Sequence, residues 1–173
     1  MNSGSDREKN LATASRLLRE AVEEGAQLAA LPENFAYMRS EDDQFEPGED
    51  FSGPIVTWSR QTARELGIFL LAGSFGEKTG ERAKVANTSI LLDPNGEILA
   101  VYRKIHLFDA DLEDGETHRE SDLVIPGKIP VTAETPLGTM GLTVCYDLRF
   151  PELYRRLAGM AATIIFAPSA FTY

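Results

Sequence analysis

Four short apolar runs constrain this chain most: residues 28–31, 68–72, 140–144 and 163–167. None carries a charge, and each is too short for an ordinary buried helix, so each reads as a buried strand. Helical spacing separates them. Leu11, Ala14, Leu17, Leu18, Ala21 and Val22 fall on one helix face, with Asp6 and Glu8 at its positive end and Gly25 as a C-cap. Ile55, Ser59, Thr62 and Leu66 line a second helix closed by Gly67. Pro151 suits the first turn of a third, whose buried side is Leu153, Leu157 and Met160. Residues 89–92 and 98–102 flank Asp93-Pro94-Asn95-Gly96, a type I turn pattern, and predict a hairpin. Alternating helices and strands predict a layered α/β domain. The polar stretch 108–128 is long for a loop in a compact domain, a length often functional.

At 173 residues the chain fits one domain, and residues 1–173 are read as a single, partial one. Both ends look cut. The first helix has no strand before it, and the last strand leads into Pro168-Ser169-Ala170-Phe171 without a following helix. No apolar run approaches a membrane span, and no signal peptide opens the chain. The one cysteine, Cys145, fits a reducing compartment, and a cytoplasmic location is expected. A net charge of −10 argues against a nucleic-acid surface. The acidic residues concentrate in loops at 41–43, 46–50 and 109–116, as on a solvated surface. No zinc or calcium pattern is present, so no metal or cofactor is expected. His106 and His118 read as structural or solvent-facing.

Three strands end in reactive residues: Glu33, Lys104 and Cys145. Strand carboxyl ends form the usual crevice of open α/β sheets. A thiol attacks as thiolate, and a free cysteine with a pKa of about 8.5 needs a base at neutral pH. Glu33 can take the proton. Lys104 can favour the thiolate and donate to the oxyanion formed on attack, as can the backbone N–H of Tyr146. Singly, each residue has a plainer reading: packing for the cysteine, a loop charge for the glutamate, a solvated cation for the lysine.

Longer sequence words shift that balance. Leu31-Pro32-Glu33-Asn34-Phe35, then Tyr102-Arg103-Lys104-Ile105-His106-Leu107-Phe108, then Gly141-Leu142-Thr143-Val144-Cys145-Tyr146-Asp147-Leu148-Arg149-Phe150-Pro151-Glu152 resemble, in order and spacing, the three signature blocks of the nitrilase superfamily. The resemblance implies a four-layer α-β-β-α sandwich, incomplete in this chain, and usually a homodimer. It implies Glu33 as general base, Lys104 as stabiliser of the tetrahedral intermediate and Cys145 as acylated nucleophile. Arg119-Glu120-Ser121-Asp122, followed by Pro126-Gly127, is similar to the family's second-glutamate block, which makes Glu120 a fourth candidate that pairs with Lys104. The word Cys-Tyr-Asp-Leu-Arg-Phe-Pro-Glu resembles the Nit-type amidase branch, which includes deaminated glutathione amidase and omega-amidases. That implies a small linear amide and water as reactants and a thioester acyl-enzyme.

Phe35, Phe108, Tyr146 and Phe171 are candidates for lining the substrate pocket, with core packing as the alternative. Arg149 and Glu152 are expected to pair and hold the cysteine helix. Within the family, hydrolysis of an N-carbamoyl amino acid is the alternative. Outside catalysis, the alternative is a truncated dimerisation module. A dithiol redox protein is disfavoured by the missing second cysteine, and a phosphatase by the absence of glycines between Cys145 and Arg149.

Overall fold

The computed structural model describes residues 1–39, 46, 48–81, 83–111, 115 and 117–171. The acidic positions 41–43, 113, 114 and 116 lie outside the described residues. Helix α1 (Arg7–Glu23) starts on Asp6, whose side chain accepts from Lys9 N–H. It ends at Glu24, one residue before the expected cap, with Gly25 N–H donating to Val22 O and Ala26 N–H to Ala21 O. Strand β1 (Leu28–Ala30) follows, then α2 (Pro54–Leu66) with Pro54 at its first turn and Gly67 as the cap. Next come β2 (Phe69–Leu71), β3 (Phe75–Lys78), β4 (Val85–Leu92) and β5 (Ile98–Arg103).

Strands β1 and β2 are parallel. β2, β3 and β5 each pair antiparallel with β4, making a five-stranded sheet. The expected hairpin is β4–β5, and the Asp93 carboxylate fixes its turn by accepting from Asn95 and Glu97 N–H. Strand β3 was not legible. Its Phe-Gly-Glu-Lys sequence has neither an apolar run nor clean alternation, and pairing with the long β4 overrides that.

The long polar stretch is not structureless. It contains a short hairpin of β6 (Asp109–Asp111) and β7 (Thr117–Arg119), then a 3-10 turn at Glu120–Asp122. After it come β8 (Val131–Thr135), also unforeseen, β9 (Gly138–Leu142), α3 (Pro151–Gly159) and β10 (Ile164–Phe166). β9 lies between antiparallel β8 and parallel β10 in a second sheet.

Two cores define the layers. Ala14 and Leu18 of α1 and Ile55, Val56 and Ala63 of α2 pack with Leu70, Phe75, Ile90 and Leu92 on the outer face of the first sheet. Leu71, Leu91, Ala100 and Tyr102 on its inner face meet Ala133, Met140, Leu142 and Val144 of the second sheet. Helix α3 covers the far side, where Leu157 lies against Gly141. The order is α-β-β-α. Two expectations around α3 fail. Met160 caps the helix and is partly exposed rather than buried, because the helix ends one residue earlier. Glu152 pairs with Arg155 on the exposed face instead of with Arg149.

Candidate active site

Each reactive residue follows a strand. Glu33 lies just past β1, where Leu31 N–H still bonds to Leu71 O. The neighbouring strand must pass very close. A Cβ on Gly73, at φ +38°, would sit 1.9 Å from Pro32 O, so only glycine fits. Asn34 then takes φ +51°, held by its N–H bond to Ser74 Oγ. That reversal separates Glu33 from Phe35. Glu33 enters the site, while Phe35 is fully buried in the helix-side core, tilted against Trp58 at 5.6 Å. Phe35 therefore does not line a pocket.

Lys104 follows β5 and donates its backbone N–H to Asn87 O. Gly127 comes close behind it, its N–H bonded to Lys104 O; a Cβ there would sit 2.1 Å from Arg103 O. The Lys104 side chain is 2% exposed, and its Nζ lies 3.0 Å from Glu33 Oε1 and 2.9 Å from Glu120 Oε2. Asn87 Nδ2 donates to both carboxylates, at 2.9 Å to Glu33 and 3.2 Å to Glu120. The backbone N–H of Phe108 donates to Glu120 Oε2 at 2.6 Å, and that of Ala170 to Glu33 Oε2 at 3.1 Å. Burial disfavours the Lys104 ammonium, but Glu33 and Glu120 more than offset it and raise its pKa above the ordinary lysine value.

Cys145 opens a short 3-10 turn (Cys145–Arg149), with Tyr146 next in it. Its φ is +47°, in the left-handed region that costs a non-glycine residue on the order of 1–3 kcal/mol. The strain is held by Cys145 N–H bonding to Pro168 O, just past β10, and by Val144 N–H bonding to Asp147. The thiol is half-buried beside the Glu33 carboxyl group. Burial, then the charge of Glu33, push it up to about 11, against the pull of Lys104 and the Ala170 N–H. Lys104 thus does not by itself make a thiolate. Burial and Glu33 both favour the protonated thiol.

Aromatic rings flank the nucleophile. Tyr146 lies edge-on to Phe108 at 5.1 Å and to Phe150 at 5.6 Å, and Phe108 tilts against His118. Phe108 and Tyr146 are thus beside Cys145, whereas Phe171 is 73% exposed. A cavity of about 590 Å³ abuts the charged cluster, with Asn34, Asn87 and Glu120 in its wall and Arg7, Tyr37 and Arg39 elsewhere in its lining. That volume suits a small organic ligand.

The structure therefore joins Glu33, Lys104 and Glu120 in one cluster and sets Cys145 against Glu33. Sequence reasoning missed Asn87, Asp147 and the backbone groups of Pro168 and Ala170. Asn87 gave a weak signal, a polar residue within an otherwise strand-like run. Its Oδ1 is buried without a hydrogen-bond partner among the described residues, a cost of about 1–3 kcal/mol that stability alone does not explain.

The family model for carbon-nitrogen hydrolases matches residues 1–173. Similar proteins include the deaminated glutathione amidase of Synechocystis, 41% identical over 167 residues that cover 95% of this chain and 61% of the relative. That of Dictyostelium discoideum is 37% identical over 179 residues, covering 99% and 62%. The chain thus spans about three-fifths of the length of these relatives. Among solved structures, a Saccharomyces cerevisiae member of branch 10 of the nitrilase superfamily superposes with TM-score 0.83 at 30% identity, over 99% of this chain and 62% of that one. A variant of the amidase from Nesterenkonia sp. AN1, in which acrylamide has added at the active site cysteine, gives TM-score 0.78 at 26% identity, over 100% and 65%. The sheet-on-sheet architecture is that of the nitrilase superfamily.

Proposed function

Because the chain belongs to the carbon-nitrogen hydrolase family, we propose that it hydrolyses a small linear amide through a thioester on Cys145. One observation carries the reading: a thiol set beside a buried carboxyl group, which is itself bonded to a buried ammonium. As the Cys145 sulfur attacks the amide carbon, Glu33 takes the thiol proton, so no resting thiolate is required. The carbonyl π pair moves to oxygen, and Lys104 Nζ and the Tyr146 N–H hold that oxyanion. The intermediate collapses, the C–N bond breaks, and Glu33 returns its proton to the departing amine. Water then attacks the thioester with Glu33 as base, and the Cys145 sulfur leaves with a proton from Glu33. Glu120 keeps Lys104 charged and aimed.

The relatives named for deaminated glutathione suggest an amide whose acyl part bears a carboxylate. Arg7 and Arg39 stand in the lining of the cavity beside Asn87 and Glu120, and both already have partners, Glu46 in the case of Arg7. An omega-amide dicarboxylate fits the same description. Residues 1–173 are read as part of one such domain, in a cytoplasmic protein. The exposed Leu148, in the turn before α3, and Met160, just past its end, support a homodimer, and sedimentation of the whole protein reads its mass.

The test is direct. Incubated with a short omega-amide and quenched in acid, the protein is expected to carry the acyl mass on Cys145 and to release ammonia. Cys145→Ala is expected to lose both. Ammonia release by Cys145→Ala at the original rate ends the proposal.

A further inference from the structure

The turn that carries Cys145 is anchored by a carboxylate that the acyl-transfer scheme leaves idle. Asp147 is fully buried. Its Oδ2 accepts from the N–H of Val144, immediately before the nucleophile, at 2.9 Å, and from the Tyr102 hydroxyl at 2.6 Å. Its Oδ1 accepts from the N–H of His106 at 3.0 Å and lies 2.7 Å from His106 Nδ1. The Tyr102 hydroxyl in turn accepts from Ile105 N–H at 3.3 Å. Tyr102, Ile105 and His106 bracket Lys104 on both sides. The His106 ring stacks on Phe150 at 3.7 Å, and Phe150 N–H donates to Asp147 O, closing the turn.

Lys104 follows a strand of the first sheet, and Cys145 lies beyond a strand of the second. Among the described residues, the hydrogen bonds between these two segments run to Asp147. The Glu33 carboxylate lies between the reactive tips, and Asp147 joins the backbones beneath them. We infer that Asp147 is a positioning residue that sets the Cys145 thiol and the Lys104 ammonium in register. It acts through Val144 on one side and through Tyr102 and His106 on the other. The inference rests on the proposed roles of Cys145 and Lys104. Displacing a reacting group by about 1 Å can cost on the order of 100-fold in rate.

Asparagine makes the cleanest probe. It nearly preserves volume, yet its amide NH₂ must face either Val144 N–H or His106 N–H. A backbone donor cannot reverse, so one anchor is lost in either orientation. Two reagents then separate register from mere access. Propionaldehyde adds reversibly to a thiol. The S–C bond forms, the carbonyl π pair moves to oxygen, and that oxygen, in the oxyanion position, takes the thiol proton. Iodoacetamide alkylates sulfur with loss of iodide and builds no oxyanion.

For Asp147→Asn we expect adduct affinity for propionaldehyde, read by isotope-edited NMR with a ¹³C-labelled carbonyl, to fall at least thirtyfold. Tyr102→Phe, which removes one of the four contacts, should lower it about fivefold. In both, alkylation by iodoacetamide should stay within threefold and cooperative melting should persist. Any omega-amide turnover should lose kcat in proportion, with KM within threefold. Leu18→Ala, in the helix-side core, should lower the melting temperature without changing aldehyde affinity. The inference is overturned if folded Asp147→Asn binds aldehyde within threefold of the unsubstituted protein. It is also overturned if alkylation changes as much as aldehyde affinity does, because the thiol is then simply released. If Asp147→Asn does not melt cooperatively, Tyr102→Phe decides by the same criteria. An unsubstituted protein that forms the adduct but turns over no amide overturns the hydrolase reading and leaves the positioning role standing. One that forms no adduct overturns both.

Discussion

Arg103 and Lys104 are neighbours in sequence, yet they serve two different ion clusters. Arg103 grips one carboxylate, Glu77, through Nε at 2.6 Å and Nη2 at 2.5 Å, and Thr88 Oγ1 donates to the same group. One cation meets one anion, and the guanidinium is half exposed. Lys104 is 2% exposed and meets two carboxylates, Glu33 and Glu120. The first cluster is balanced and shut. The second carries a surplus negative charge in a dry place, with a thiol beside it. A balanced pair has nothing left to do but hold strands together, whereas a surplus carboxylate can accept a proton. The contrast separates framework from chemistry on a single stretch of chain.

Removing each cation tests that contrast most severely. Lys104→Met leaves two carboxylates facing each other in the interior. Its expected cost is about 3–5 kcal/mol of stability in urea unfolding and a fall in amide turnover on the order of 10³-fold. Arg103→Met should cost about 1–3 kcal/mol and leave turnover within threefold. Equal losses of turnover in the two variants would erase the distinction.

Asn87 sharpens it, because a single amide donates to both carboxylates of the second cluster and to neither side of the first. Asn87→Ala should reduce kcat by roughly ten- to a hundredfold, the kinetic equivalent of losing a hydrogen bond to a charged group.

The surplus charge also has a titration signature. With Glu33 present, the rate of Cys145 alkylation should climb with pH to a midpoint near 11. Burial and the Glu33 charge both keep the proton on sulfur, and Glu33→Gln removes the charge, so the midpoint should move down. The stability sign follows. A thiol whose pKa is raised from 9.0 to about 11 on folding contributes fully below the lower value and loses that contribution as pH rises through the upper one. Thermal melts between pH 8.5 and 11 should therefore fall more steeply in the unsubstituted protein than in Cys145→Ala.

The smallest effect belongs to the balanced cluster. Glu77→Gln keeps one acceptor oxygen, which can serve Thr88 and Arg103 Nε, but turns an NH₂ toward Nη2 and removes the charge. It should cost at most about 1–1.5 kcal/mol and leave turnover unchanged.

What the sequence revealed divides along similar lines. Local features were readable: both long helices, the β4–β5 turn, and four reactive residues embedded in distinctive words. Contacts between distant segments were not. Asn87 reaches Glu33 across 54 positions and Ala170 reaches it across 137, and no spacing rule encodes either. Phe35 was misplaced for a geometric reason. Being two residues from Glu33 suggests a shared side, but the positive φ of Asn34 turns the chain between them. β3 and β8 escaped because edge-like, mixed sequences become strands only when a long neighbour offers its backbone. Asp147 looked like part of a signature word, and its bonds to Tyr102 and His106 emerge only when the two sheets meet.

The left-handed backbone at Cys145 has a consequence for what makes the protein chemically competent. Nothing local favours that conformation. It is imposed by Pro168, which follows a strand later in the chain, and by Asp147, whose other partners belong to the opposite sheet. Without those contacts a non-glycine residue favours ordinary extended or helical backbone. The geometry for acyl transfer is therefore a property of the joined sheets and not of the turn alone.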